Sequence, residues 1–89
     1  MKWRIGSSGQ LYDPGEDFVV YYDPASGDTH LLSAVAGAVL RLIDHQPLEA
    51  TQLVAELWPD AESDVLPLLC RDITSLLEEL QALEVVVQV

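Results

Sequence analysis

Residues Asp17 to Leu40 read DFVVYYDPASGDTHLLSAVAGAVL, and this stretch decides the fold. Phe18-Val19-Val20-Tyr21-Tyr22 is β-branched and aromatic throughout, the composition that suits a pleated strand. Asp23-Pro24-Ala25-Ser26-Gly27-Asp28 is turn chemistry: Pro24 pre-sets φ at an early corner and Gly27 suits the αL corner. Thr29-His30-Leu31-Leu32 then returns antiparallel to the first strand. Ser33 follows as an N-cap, its hydroxyl able to accept from the first orphan amides of a helix. Within Ala34 to Ile43, apolar residues at 35, 39, 42 and 43 keep helical spacing. Small residues at 34, 36, 37 and 38 let another element approach closely. This helix is expected to be almost entirely buried. It should stop near Asp44-His45, because Pro47 disfavours helix in the residue before it. Strand alternation puts Phe18, Val20 and Tyr22 on one face and Val19 and Tyr21 on the other. Both faces are apolar or aromatic, so helices should cover one, and a partner or the N-terminal segment part of the other.

Working outward, Trp3-Arg4-Ile5 alternates and reads as a short strand. Gly6 to Gly9 is a flexible link without the spacing or context of a dinucleotide motif. Asp13-Pro14-Gly15-Glu16 is a turn, with Gly15 accepting a positive φ. Beyond the first helix, Glu49 to Gln52 opens a second at capping-box spacing. Its core face is Leu53, Val54, Leu57 and Trp58, and Pro59 ends it. A third helix starts within Glu62 to Pro67, with Ser63 or Asp64 expected as cap and Pro67 tolerated in the first turn. It runs to about Leu83. Leu69, Ile73, Leu76, Leu80 and Leu83 form one stripe, flanked by Leu66, Cys70 and Leu77. The tail Val85-Val86-Val87-Gln88-Val89 is uncharged and β-prone. It adds a strand either to this sheet or to a second subunit; left exposed it is an aggregation hazard. The expected class is α+β: a small antiparallel sheet built on an N-terminal hairpin, then three helices, on the winged-helix plan.

Eighty-nine residues make one domain, 1–89, and 49% hydrophobic content is ample for its core. No stretch is long and apolar enough to span a membrane, and Met1-Lys2-Trp3-Arg4 lacks the apolar core of a signal peptide. The expected compartment is the cytoplasm. The formal charge is −11, from 15 acids against Lys2, Arg4, Arg41 and Arg71. Nucleic-acid binding draws most of its affinity from Lys and Arg on phosphates, so this charge argues against it and fits either a plain solvated acidic surface that aids solubility or a basic partner. No catalytic constellation is visible. His30 and His45 have no companion at metal-ligand spacing. Cys70 sits in an apolar helical run, where a thiol behaves as a small hydrophobe. Glu78-Glu79 read as a solvated face, and Asp23 and Asp28 as turn residues rather than calcium ligands. No enzyme, metal or cofactor is expected.

Phe18-Val19-Val20-Tyr21, then the segment Asp23 to Leu32 with its SGDTHLL, then Ala36-x-x-Val39-Leu40, resembles the PqqD-like peptide chaperones. The closest likeness is to the branch found beside HPr-kinase-related proteins. Trp3, Pro47-Leu48, Leu53-x-x-x-Leu57 and the Leu-rich third helix extend it over nearly the whole chain. Where that family ends its third helix in a Gly-containing turn, this chain has Ala82-Leu83-Glu84-Val85. The resemblance implies a winged-helix-like recognition domain for precursors of ribosomally made, modified peptides. The precursor's leader adds as a strand to the return strand and drops side chains into a groove against the third helix. The domain then hands the peptide to a modifying enzyme. On this chain the edge would be Asp28, Thr29, His30, Leu31 and Leu32, and the groove wall Leu66, Cys70, Ile73 and Leu77. The helix is apolar over more than one face, so periodicity does not separate groove from core. The implied partners are a precursor peptide and a modifying enzyme or HPr-kinase-related protein, with neither nucleic acid nor membrane. A second reading is an assembly subunit docked permanently on a kinase-like or transferase neighbour, motivated by the VVVQV tail. An open strand edge and that tail also invite homodimerisation.

Overall fold

The structure, a computed structural model, describes residues 1–6, 9–24 and 26–89. Its elements are β1 (Trp3–Ile5), β2 (Gln10–Tyr12), β3 (Phe18–Asp23), β4 (Asp28–Ser33), α1 (Ala34–His45), α2 (Ala50–Leu57), α3 (Leu66–Ala82) and β5 (Val86–Gln88). The fold is α+β, antiparallel strands followed by three helices, on a winged-helix-like plan. The expected link at Gly6 to Gly9 and the turn between β3 and β4 lie partly outside the described residues. Two expected glycine corners are described: φ is +77° at Gly27, in the β3–β4 turn, and +85° at Gly15, in the Asp13–Glu16 turn before β3.

β3 is the centre of a three-stranded antiparallel sheet, ordered β2-β3-β4. Val19 pairs with Leu32, Val20 with Leu31 and Tyr21 with His30. On the other side of β3, Leu11 pairs with Tyr21 and Tyr12 with Val20. β2 is absent from the sequence reading because Gln10-Leu11-Tyr12 is too short to declare itself by pattern; β3 supplies the partner that makes it a strand. Burial alternates along β3: Val19 and Tyr21 are buried, Phe18 and Val20 half-buried, and Tyr22 exposed. The buried face packs against α1.

Ser33 caps α1 as expected, its hydroxyl accepting from the Ala36 amide at 3.2 Å, and the helix ends at His45 before an extended Gln46. Helix and sheet meet at Gly37, where a Cβ would lie 2.8 and 2.9 Å from the two methyls of Val19. Any side chain there would push the layers apart, because a β-branched neighbour has no free rotamer to yield. The expectation of an almost fully buried α1 is corrected. Ala36, Gly37, Val39, Leu40 and Ile43 are buried, whereas Val35 and Arg41 are exposed. One side of α1 faces solvent, since β1, the three-stranded sheet and α2 together cover only an arc of it.

The tail closes onto its own chain. β5 pairs antiparallel with β1, Ile5 opposite Val86 and Trp3 opposite Gln88. Trp3 also exchanges two backbone hydrogen bonds with Leu48, its amide donating at 2.8 Å and its carbonyl accepting at 3.1 Å. β1 therefore runs between the tail and the α1–α2 connection, with the Trp3, Leu48, Val85 and Val86 side chains all in the core.

α3 starts and stops within its sequence reading, with Leu83 as its C-cap, but its N-cap differs. Neither Ser63 nor Asp64 takes the cap position; Val65 does, without a side-chain cap. The helix instead grows out of a turn in which the Val65 and Leu66 amides both donate to the Glu62 carbonyl. The buried stripe runs through Ile73, Leu77 and Leu80, while Leu66, Leu69, Cys70 and Leu76 flank it and Leu83 is exposed. At the exit, Glu84 has φ +63°. Its amide donates to Gln81, and the Val85 amide donates to Leu80. This is a Schellman motif, completed by buried Val85 and Leu80, with Glu in the left-handed position glycine usually fills. An L-residue pays about 1–2 kcal/mol there, partly offset by the entropy glycine loses on folding. Glu84→Gly is accordingly expected to stabilise the fold by about 0.5–1 kcal/mol, read as a higher urea midpoint with unchanged slope.

Candidate functional site

The sheet has two outer strands, β2 (three residues) and β4 (six residues), and β4 is the longer rim. It follows β3 in the strand order, and among the described residues no strand pairs on its other side. Every second backbone N–H and C=O of such a strand points outward, a template for another chain. Asp28, Thr29 and Leu31 are exposed, His30 is half-buried and Leu32 is buried. The hairpin that precedes the strand and the helix cap that follows it hold the rim at both ends. At the hairpin end, the Asp28 amide donates to the Ser26 hydroxyl at 3.2 Å.

A second feature of the rim follows from strand parity. The sheet face turned away from α1 carries a cross-strand row of Tyr12, Val20 and Leu31. Tyr12 is 65% and Leu31 71% exposed. Half-buried Phe18 and exposed Tyr22 lie on either side of Val20 on the same face. This accounts for the apolar character of both faces of β3: one is core, and the other is an open apolar surface. Tyr12 and the row it begins were not legible without β2. The Leu11-Tyr12 pair at a turn boundary was the one available hint.

The four α3 positions separate. Ile73 and Leu77 are core residues, 2% and 0% exposed, whereas Leu66 and Cys70 are half-buried. β4 packs chiefly on β3 and α1, and α3 on α2 and β5. β4 and α3 share the core through Leu32, Ile73 and Leu77 but have few direct contacts with each other. Two cavities lie elsewhere. One, of about 310 Å³, opens between Leu11, Tyr21, Leu40, Arg41 and Asp44. The other, of about 390 Å³, is an open depression along Leu57 to Ala61. Neither is lined by β4 or by the four helix positions.

Charge is distributed around this surface with one sign. Residues 10–33 contain Asp13, Glu16, Asp17, Asp23 and Asp28 and no Lys or Arg. Arg41, on α1, donates to Asp13 at 2.8 Å. The Gly15 amide first, and Arg41 second, hold the Asp13 carboxyl below its ordinary value. A depressed carboxylate contributes stability above its unfolded-state pKa and loses it as pH falls through the folded value, so this turn weakens on acidification. Among the described residues no group of three or more His, Cys, Asp or Glu side chains could hold a metal ion, and no helix is long and apolar enough to cross a membrane.

No family model, curated protein or solved structure matches the chain.

Proposed function

We propose that this protein is a non-catalytic recognition module that captures an extended peptide by strand addition along β4. The peptide is the leader of a ribosomally made precursor, presented to a modifying enzyme or HPr-kinase-related protein. The observation that carries this reading is the rim of β4, unpaired among the described residues and the longer of the two outer strands, six residues held at both ends with Leu31 exposed upon it. Strand addition takes its affinity from main-chain hydrogen bonds along such a rim and its selectivity from alternate side chains. The sequence resemblance adds the class of peptide. On α3 the proposal rests on half-buried Leu66 and Cys70, since the Ile73 and Leu77 side chains are enclosed in the core.

The reading as a permanently docked assembly subunit loses its motive, because the tail that suggested it pairs with β1 of the same chain. Strand addition is tested by titrating the labelled protein with the leader of a short precursor encoded beside it. The largest amide shifts are expected in Asp28 to Leu32. Saturable binding that leaves those amides unmoved would overturn it.

A further inference from the structure

The rim and the open sheet face meet at Leu31, and together they restrict what can bind there. A strand added to β4 extends the outer row by one place, from Tyr12 through Val20 and Leu31 to a residue of the incoming chain. Cross-strand neighbours on one face interact most when both are apolar or aromatic. The residue opposite Leu31 gains by being apolar, because it covers a side chain that is 71% exposed. The places beside it are opposite Thr29 and Ser33, which are polar and exposed, and ask for no apolar partner.

The ends of the rim ask for charge. Asp23 and Asp28 are directly opposite each other where the hairpin closes. Glu16 and Asp17 are exposed immediately before Phe18, which pairs with Ser33 at the other end of β4. An incoming strand therefore has carboxylates beside it at the hairpin end, while at the other end Glu16 and Asp17 act from about 10 Å, two strand spacings away, within the Debye length at low salt. The segment 10–33 that builds the sheet has five acids and no Lys or Arg. Its nearby cation, Arg41, is engaged by Asp13 at 2.8 Å. Like charges juxtaposed across an interface are penalised and opposite charges speed encounter. A second copy of this chain would bring a second segment of five acids without Lys or Arg to the same rim, so the charge that selects a basic occupant also opposes self-pairing through this rim.

We infer that the peptide class recognised at β4 is cationic: an extended segment with an apolar residue opposite Leu31 and Lys or Arg towards both ends. This rests on the strand-addition reading and adds to it the chemistry of the ligand. Asp28 and Asp17 select the ends, and Leu31 selects the centre.

Three synthetic peptides test it. They share a centre with one apolar residue, Thr-Thr-Leu-Thr-Thr, and differ in their flanks, which are Lys, Gln or Glu. Each is titrated into the labelled full chain, and amide shifts give both affinity and location. The Lys-flanked peptide should bind on the order of tenfold more tightly than the Glu-flanked one at about 10 mM salt, where the Debye length is about 30 Å. At about 1 M salt, with a Debye length of about 3 Å, the difference should vanish. Asp28→Asn, which keeps the shape of the side chain, should weaken the Lys-flanked peptide two- to threefold, on the scale of an exposed charge pair, and leave the Gln-flanked one unchanged. Leu31→Ser should weaken all three alike. Equal affinities, with shifts in Asp28 to Leu32, would keep strand addition and overturn the cationic assignment. Shifts absent from those amides with every peptide would overturn strand addition itself. Binding of the Lys-flanked peptide with shifts scattered over other acidic surface would overturn both.

Discussion

Leu77→Ala is expected to lower the unfolding free energy by about 2–5 kcal/mol, the cost of deleting a fully enclosed leucine side chain and leaving a cavity. Leu77 is 0% exposed and packs in the cluster formed by α3, α2, α1 and the inner sheet face. A domain of 89 residues has roughly 4–13 kcal/mol of stability to lose, at about 0.05–0.15 kcal/mol per residue. This one substitution therefore removes a large share. It should appear in urea unfolding as a lower midpoint with an unchanged slope. Leu66→Ala, at a half-buried position of the same helix, should cost about 1 kcal/mol, near the centre of the range for single substitutions. The contrast decides a question periodicity leaves open, because an apolar helix presents the same residue types to a core and to a groove. A nearly neutral Leu77→Ala would mean that the side chain lines an open surface, and the core described here would be wrong at its centre.

Val86→Asp should be as damaging, for a different reason. Val86 is fully buried in β5 opposite Ile5. A carboxylate there has no partner and loses its hydration, a cost of several kcal/mol unless it is protonated or the strand detaches. If the strand detaches, β1 loses its partner on that side and Trp3 is uncovered. Thermal melting followed by circular dichroism should show the variant largely unfolded or strongly shifted downward. Val89→Asp is the control, since Val89 is 66% exposed and a substitution of that kind stays within about 0.5 kcal/mol. The opposite pattern, with Val86→Asp harmless and Val89→Asp abolishing a complex, would return the tail to an intermolecular role.

Local chemistry made much of this molecule legible. Ser33 caps α1, Gly27 and Gly15 take positive φ, Pro47 follows the end of α1, and Leu53 and Val54 face inward, each for a reason confined to a few neighbouring residues. The errors occurred where the reason is distant. β2 is a strand because β3 offers it hydrogen bonds. The start of α3 is set by a turn around Glu62 and not by a capping side chain. Glu84 adopts the left-handed conformation because burying Val85 against the core outweighs its local cost. For the candidate site, the strand Asp28 to Leu32 was readable from composition, but its position at the rim was not. The same strand in the middle of a sheet would have the same sequence logic and no free edge.

The sequence by itself determined the element order, the hairpin and its corners, the acidity that argues against nucleic acid, and the presence of two apolar faces on β3. These follow from side-chain volume, backbone preference and charge, which each residue carries wherever it sits. Tertiary structure alone decided that β4 is an outer strand, that Leu31 and Tyr12 lie on an open face, that Ile73 and Leu77 belong to the core, and that the tail pairs with β1. Those outcomes depend on which arrangement of surfaces has the lowest free energy. A sheet has two faces and two edges, and only packing chooses which of them the helices cover.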